Sequence, residues 1–456
     1  MISRIADPMH ARRQARRATL ALGVVGALLT GACGSLLDVE NPNNVNADAL
    51  KVPASAAAQA NGTLAALTRG AVQLVGHAEI ASDNFIWSGS LDGVDRLSRG
   101  EVRDPYNEFL EDAFNGMTPA RFMAARTIKQ LEEFKAAGTL ADPTQLALAN
   151  LYGAITYDYL ANHFDNFVIA SSQREAGDAV GPDKMVTLYD SAEAAATRAL
   201  TSVPAANTLL KGQVLAVRAR AKFDRAIWRK LNPSGKTPAQ PLVDDQGAAD
   251  DAIAALPLLG SDYRYKLEVQ TGMGWGNCFL PSCTNSRREV IFNPSLATYN
   301  YTTKVMTVAL KDPITGQPDP AVGQLLTEFV NGLTMSPLTV TGSRDMLLIA
   351  AEVALAKGNT TEFASRINQI RALNALPGWT GAAGQPTALE ILIHERRANT
   401  VMQGRRLNDM YRFGIVSPSW GATSDARVCP GSLFPITNGE RLSNPKVASV
   451  QPACGQ

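Results

Sequence analysis

Runs of small and apolar residues at helical spacing set the first limit on how this 456-residue chain can fold. Leu148, Tyr152, Ile155 and Tyr159 follow one another at intervals of four, three and four, which places them on one face of a helix. Met185, Leu188, Ala192, Ala195 and Ala199 repeat the pattern, and so do Leu210, Val214, Val217 and Ala221. Asp142-Pro143-Thr144-Gln145 opens the first of these helices with an acidic cap, a proline in the first turn and a glutamine to close a capping box. A further face, Leu347, Ala350, Ala351 and Ala354, stops at Gly358-Asn359, a pair suited to a left-handed cap. Thr361 restarts the helical run, and Phe363, Ile367 and Ile370 continue it. Alanine on these faces lets helices approach closely. The expectation is a mostly α fold of helical hairpins in series, of tetratricopeptide type. The strict repeat signature is absent, and a four-helix bundle or an α/α-toroid enzyme would share the periodicity.

Composition is that of a globular chain, 45% hydrophobic and 19% charged, enough for one or two large cores. The net charge of +1 gives no reason to expect a nucleic-acid partner. The charge is unevenly placed. Residues 1–32 hold five arginines and one aspartate, and the remainder is mildly acidic. The arginines precede an uncharged run, Ala18 to Thr30, that is shorter than the roughly 20 apolar residues of a spanning helix. Basic start, short apolar core and small residues read as a signal peptide over 1–32. Leu29-Thr30-Gly31-Ala32-Cys33 resembles a bacterial lipobox, so Cys33 is expected to carry lipid and to begin the mature chain. Residues 33–53 then read as a polar tether, and 54–456 as the folded part.

Five cysteines are present. With Cys33 lipidated, four remain in two local pairs, Cys278/Cys283 and Cys429/Cys454. Outside the cytoplasm such pairs read as disulfides, and no CxxC motif or nearby histidine favours zinc. Between about 233 and 340 the texture changes to glycine, proline, threonine and aromatics. Loops and a few short strands are expected there, pinned by the Cys278/Cys283 loop. Residues 380–386 read as a linker, and Thr387-Ala388-Leu389-Glu390 as a second capping box.

Chemistry is sparse. His10, His77, His163 and His394 show no metal spacing, and no HExxH, GxSxG or phosphate-loop pattern occurs. No cofactor, metal or catalytic residue is expected. Paired carboxylates for glycoside hydrolysis follow no spacing rule, so hydrolysis stays open on sequence alone. Tryptophans on polar, non-periodic segments are more informative. Trp87 sits in SDNFIWSGS, and Trp275 in a glycine-rich stretch near Tyr263 and Tyr265. Flat rings among Asp83, Asn84 and arginines suit a sugar, whose C–H face and hydroxyls need both. These six residues are the candidate ligand contacts, against a bland alternative of core packing. Trp228, on a helix, reads as core.

The stretch HERRANTVMQGRRLNDMYRFG, His394 to Gly414, carries five arginines and little apolar face. Glu395, Arg396, Arg397, Gly404, Arg406, Asp409, Arg412 and Gly414 resemble, in register, the C-terminal signature of the SusD/RagB-type nutrient-uptake lipoproteins of the bacterial outer membrane. Asn399, Gln403, Leu407 and Met410 depart from it. Arg344, Glu352, Asn368 and Arg371 resemble the preceding helix pair of that family. Tyr152 lies in LYGAITYDYLANHFDN, similar to an earlier family helix. LFPITNGERLSNPKV resembles its closing segment, with Pro435, Ile436, Glu440, Asn444 and Pro445 kept and Thr437 replacing a proline. The resemblance implies a SusD-like helical fold with an irregular ligand-binding part. It also implies a lipid anchor at the cell surface, no enzymatic activity, and capture of oligosaccharide or peptide for a SusC-like TonB-dependent outer-membrane transporter. Ligand residues vary in the family, so none carries over. A protein-binding assembly lipoprotein and a helical-toroid glycosidase are the rival expectations.

Within the arginine-rich stretch the residues themselves suggest structure rather than ligand binding. Arg405 and Asp409 are four apart and Asp409 and Arg412 three apart, spacing that pairs side chains along a helix. Arg396, Arg397 and Arg406 are expected to reach acids or carbonyls on neighbouring helices. Gly404 is expected to permit a close backbone approach.

Overall fold

The structure is a computed structural model that describes residues 48–172, 175–269, 280–448 and 454. Residues 1–52 and 53–456 form separate compact units. Within the described part of the first, Ala49–Lys51 form a single 3₁₀ turn. Cys33, Trp275 and Cys278 lie outside the described residues.

The second unit begins with α1 (Ala56–Ala81), β1 (Phe85–Trp87), α2 (Asp92–Ser98), α3 (Glu108–Ala136) and α4 (Pro143–His163). After the small hairpin β2 (Val168–Ile169) and β3 (Asp178–Ala179) come α5 (Val186–Ser202), α6 (Thr208–Leu231), α7 (Gln246–Leu259) and β4 (Arg264–Leu267). Then follow β5 (Val290–Phe292), β6 (Ala297–Asn300), β7 (Val305–Val308), α8 (Pro320–Asn331) and β8 (Leu338–Gly342). The chain closes with α9 (Ser343–Ala356), α10 (Thr360–Leu373), α11 (Ala388–Asn399), α12 (Arg406–Phe413), α13 (Asp425–Val428) and α14 (Asn438–Ser443).

Successive long helices pack on one another. α1 lies on α3, α3 on α4, α4 on α5, α5 on α6, α6 on α7, α7 on α9 and α9 on α10. This is the hairpin series expected from the periodicity. Three caps form as the residues dictate. The Asp142 carboxylate accepts the Thr144 N–H at 2.9 Å, with Pro143 at the first helical position. Thr387 and Glu390 make a reciprocal capping box. Asn359 caps α10 beside Gly358, which is left-handed at φ +74°. The alanine faces serve close contact: Ala192, Ala195, Ala196 and Ala199 of α5 are all buried. Gly70 on α1 meets Gly116 on α3, and a Cβ on Gly70 would lie 2.6 Å from the Gly116 carbonyl oxygen.

One large core runs from α1 through α8 and into α12. A second, smaller one joins α9, α10 and α11 around Phe363, Ile367, Ile391 and Trp379. Trp228 packs against the large core, as its helix implies. The strands form four two-stranded antiparallel pairs: β1–β5, β2–β3, β4–β8 and β6–β7.

The stretch from 233 to 340 departs from its expected loops by containing two helices of three turns or more, besides shorter helical turns. α7 is capped by Asp245, and α8 by Asp319 with Pro320 at its first position. The short strands expected there are present. Cys429 and Cys454 form a disulfide, as paired by proximity. Cys283 is buried and disulfide-bonded. No helix among the described residues is long and apolar enough to cross a membrane.

Candidate functional site

β1 and β5 lie more than 200 residues apart in sequence and build the floor of an aromatic surface. Phe85 pairs with Phe292, Ile86 with Ile291 and Trp87 with Val290. Phe85 is driven fully into the core, its ring 5.2 Å from Phe292 and 5.9 Å from Phe329. Two residues later the strand leaves the core, and Trp87 is 37% exposed. Its backbone is fixed by the Ser98 hydroxyl, which accepts the Trp87 N–H at 3.1 Å.

The next residue ties this ring to a second group. The Ser88 hydroxyl donates to the Arg288 carbonyl at 3.0 Å. Arg288 is left-handed at φ +59°, an uncommon state for a side chain of this size. Its guanidinium lies 4.6 Å over the ring of Tyr301. Tyr301 meets Tyr299 edge-on at 4.8 Å, and its hydroxyl donates to the Thr284 carbonyl at 2.9 Å. Glu289, buried between the two segments, accepts N–H bonds from Ser90 and Leu91 at 2.6 and 3.1 Å and locks them together. An exposed indole, an exposed guanidinium and two half-buried phenols thus share one rim. Flat apolar faces with donors beside them are the chemistry a saccharide needs.

Of the six candidate contacts read from sequence, only Trp87 stands on this surface among the described residues. Asp83 is buried under the arginine-rich stretch, accepting from Arg406 at 2.6 and 2.8 Å, with Arg397 at 3.4 Å. Burial acts to raise its pKa, but the two guanidinium groups outweigh it and hold the carboxyl below its usual range. The Asn84 amide donates to Glu79 at 2.6 Å, also in the core. Tyr263 packs on the core and its hydroxyl accepts from the Gln213 amide at 2.6 Å. Tyr265 sits on β4 against β8, with its ring on the core, and burial pushes its hydroxyl pKa well up. These four side chains are therefore structural. Arg288, Tyr299 and Tyr301 were not singled out by sequence. The only hint was their place in an aromatic, non-periodic stretch.

The arginine-rich stretch forms a buried ionic clasp. Arg396 donates to Asp409 at 2.9 Å and lies 3.6 Å from Glu352. Arg412 donates to the other Asp409 oxygen at 2.9 Å and engages both oxygens of Glu352. Both guanidinium groups flank the Phe223 ring. Arg405 departs from its expected partner. It precedes α12 instead of lying on it, and it pairs with Asp345 at 2.6 Å and Asp224 at 3.5 Å, not with Asp409. The Asp409–Arg412 pair forms as spaced. Glu395 and Asp312 both hold Arg371 at 2.7 Å. Gly404 is left-handed at φ +72° and donates its N–H to Glu79 at 2.8 Å. Burial raises the Glu79 carboxyl to about 7, against the pull of Asn84 and the Gly404 and Met402 N–H groups.

Asp312, Asp319 and His394 bring one ligating atom each within 4.8 Å. Each is already engaged. Asp319 caps α8 and meets His394 at 2.8 Å, and the cation beside Asp312 is Arg371. The cluster reads as an ion-pair node of the same clasp.

Residues 344–447, which contain the arginines of this clasp, match the model of the SusD family. No curated protein matches the chain. Among solved structures, a SusD superfamily protein from Bacteroides thetaiotaomicron VPI-5482 aligns with a TM-score of 0.61 and 13% identity, over 87% of this chain and 98% of that one. A SusD homolog from the same organism gives 0.61 and 14%, over 88% and 98%. A SusD-like carbohydrate binding protein from Bacteroides vulgatus ATCC 8482 gives 0.53 and 12%, over 88% and 98%. At these identities the structures speak for the fold. Residues 344–447 are thus similar to the SusD family, and the chain shares the fold of SusD superfamily structures over most of its length.

Proposed function

We propose that the protein is a lipid-anchored, surface-exposed binding protein that captures an oligosaccharide for import by a SusC-like TonB-dependent outer-membrane transporter. The observation that carries this reading is the exposed Trp87 beside the Arg288–Tyr301–Tyr299 stack. The similarity to a structure named for carbohydrate binding supports it. Trp275, in the glycine-rich stretch before Leu280, is proposed as a further ligand contact. Cys33 is proposed as the lipid attachment point. A peptide ligand is the second reading, because the same rings and guanidinium would hold one.

A glycan array followed by calorimetry tests the ligand. Replacing Trp87 by alanine should weaken the bound oligosaccharide by about ten-fold or more, the effect of losing one stacking ring. Unchanged affinity would remove Trp87 from the site. Cell fractionation tests the anchor: Cys33→Ala should shift the protein from the membrane to the soluble fraction, and retention in the membrane would sink the lipobox reading.

A further inference from the structure

A second cleft, of about 590 Å³, lies apart from the residues of the aromatic surface, between α3, the β2–β3 hairpin and α14. That volume falls in the range of about 300–1,000 Å³ common for small-molecule sites. Its walls are chemically divided. Arg121, Phe122 and Met123 come from α3, Glu175 from the hairpin loop, and Glu440 and Asn444 from the closing segment.

Arg121 is the anomaly. It is only 7% exposed, yet no carboxylate pairs with it among the described residues. Its guanidinium meets the Ala170 carbonyl at 2.6 Å and the Tyr157 hydroxyl, and its Nε has no partner. Every other arginine buried to this degree and discussed above holds an acid. A buried guanidinium without one costs stability unless something else supplies the negative charge. Beside it, the Phe122 ring centroid is 5.9 Å away, and Phe122 and Met123 are only partly covered. The carboxylates of this cleft are not spent on Arg121. Glu440 accepts from the Asn444 amide at 2.8 Å, and that amide also reaches the Gly177 carbonyl at 2.9 Å. Glu175 accepts from Ser171 at 2.5 Å. Neither has a cationic partner among the described residues.

We propose that this cleft binds a small zwitterion, a free amino acid or short peptide. Its carboxylate pairs with Arg121, its ammonium faces Glu440 and Glu175, and its apolar side chain lies on Phe122 and Met123. A guanidinium and two carboxylates in one cleft, held from neutralising each other, match the two ends of such a molecule. Glu440 and Asn444, noted in sequence only as part of a closing motif, gain a role as one wall. The inference does not rest on the oligosaccharide reading of the aromatic surface.

Calorimetry on the mature chain with alanyl-phenylalanine, glucuronate and phenethylamine tests it. The dipeptide should bind, and the other two, each carrying one end of the charge pattern, should bind at least about ten-fold more weakly. Arg121→Met and Glu440→Gln should each weaken the dipeptide by at least about ten-fold, while Arg366→Met, at a partly exposed ion pair in neither site, leaves it unchanged. Phe122→Ala, which removes no charge, guards against misfolding of the Arg121 variant and should also weaken the dipeptide. No dipeptide binding up to about 10 mM overturns the proposal. So does glucuronate binding as well as the dipeptide, which would mark a carboxylate-only site, or full dipeptide affinity in folded Arg121→Met or Phe122→Ala.

Discussion

Replacing Arg412 by methionine is expected to cost the protein about 3–5 kcal/mol, a large share of the stability of an ordinary domain. Arg412 is fully buried and carries four interactions: Asp409, both oxygens of Glu352, and the Pro241 carbonyl at 3.1 Å. Methionine fills much of the volume but leaves Arg396 as the one guanidinium for Glu352 and Asp409 inside the core, with the Val243 N–H still donating to Glu352. Uncompensated buried charge is what makes one-sided removal so costly. The control is Arg366→Met. Its pair with Glu362 is an i,i+4 contact with both partners partly exposed, so the loss should stay below about 1 kcal/mol. Urea unfolding of both variants checks the contrast. Equal midpoints would mean that the clasp contributes no more than a surface pair.

Gly404→Ala should be the next most damaging change, at about 3 kcal/mol. A side chain in the left-handed region costs roughly 1–2 kcal/mol by itself. The added Cβ would also lie 2.7 Å from His163 Nε2 and 3.3 Å from a Val75 methyl. His163 cannot easily yield, because its Nδ1 is held to the Tyr159 carbonyl at 2.9 Å and the ring is buried. Overpacking of this kind costs about 1–3 kcal/mol. Adding His163→Ala should recover the steric part and leave the backbone part. A double variant no more stable than the sum of the two singles would show that the clash is not the cause.

Local chemistry was readable and distant pairing was not. The caps at Asp142 and Thr387, and the Gly358-Asn359 break, needed only neighbours in sequence. The same Asp-Pro signal that opens α4 also opens α8 at Asp319-Pro320, but the glycine- and proline-rich texture around it masked the helix. Asp245 likewise caps α7, whose interior holds Pro257. Asp83 and Asn84 looked like ligand groups because they lie in a tryptophan-bearing polar stretch. Their partners, Arg406 and Glu79, include one 323 residues away, and no local pattern reports that distance. The aromatic surface depends on the pairing of β1 with β5, another contact without a local signal. Arg405 failed its i,i+4 expectation because α12 starts one residue after it, which turns its side chain toward Asp345.

The central claim is a division of labour: the arginine-rich signature holds the fold, and the Trp87 surface holds the ligand. Calorimetric affinity for the oligosaccharide found by array, measured alongside Tm for Arg406→Gln and for Trp87→Ala, tests it most directly. Arg406→Gln, which breaks the pair with buried Asp83, should lower Tm and keep the affinity. Trp87→Ala should keep Tm and lose about ten-fold or more in affinity. A folded Arg406→Gln protein that no longer binds, or a Trp87→Ala protein that binds as before, would contradict it.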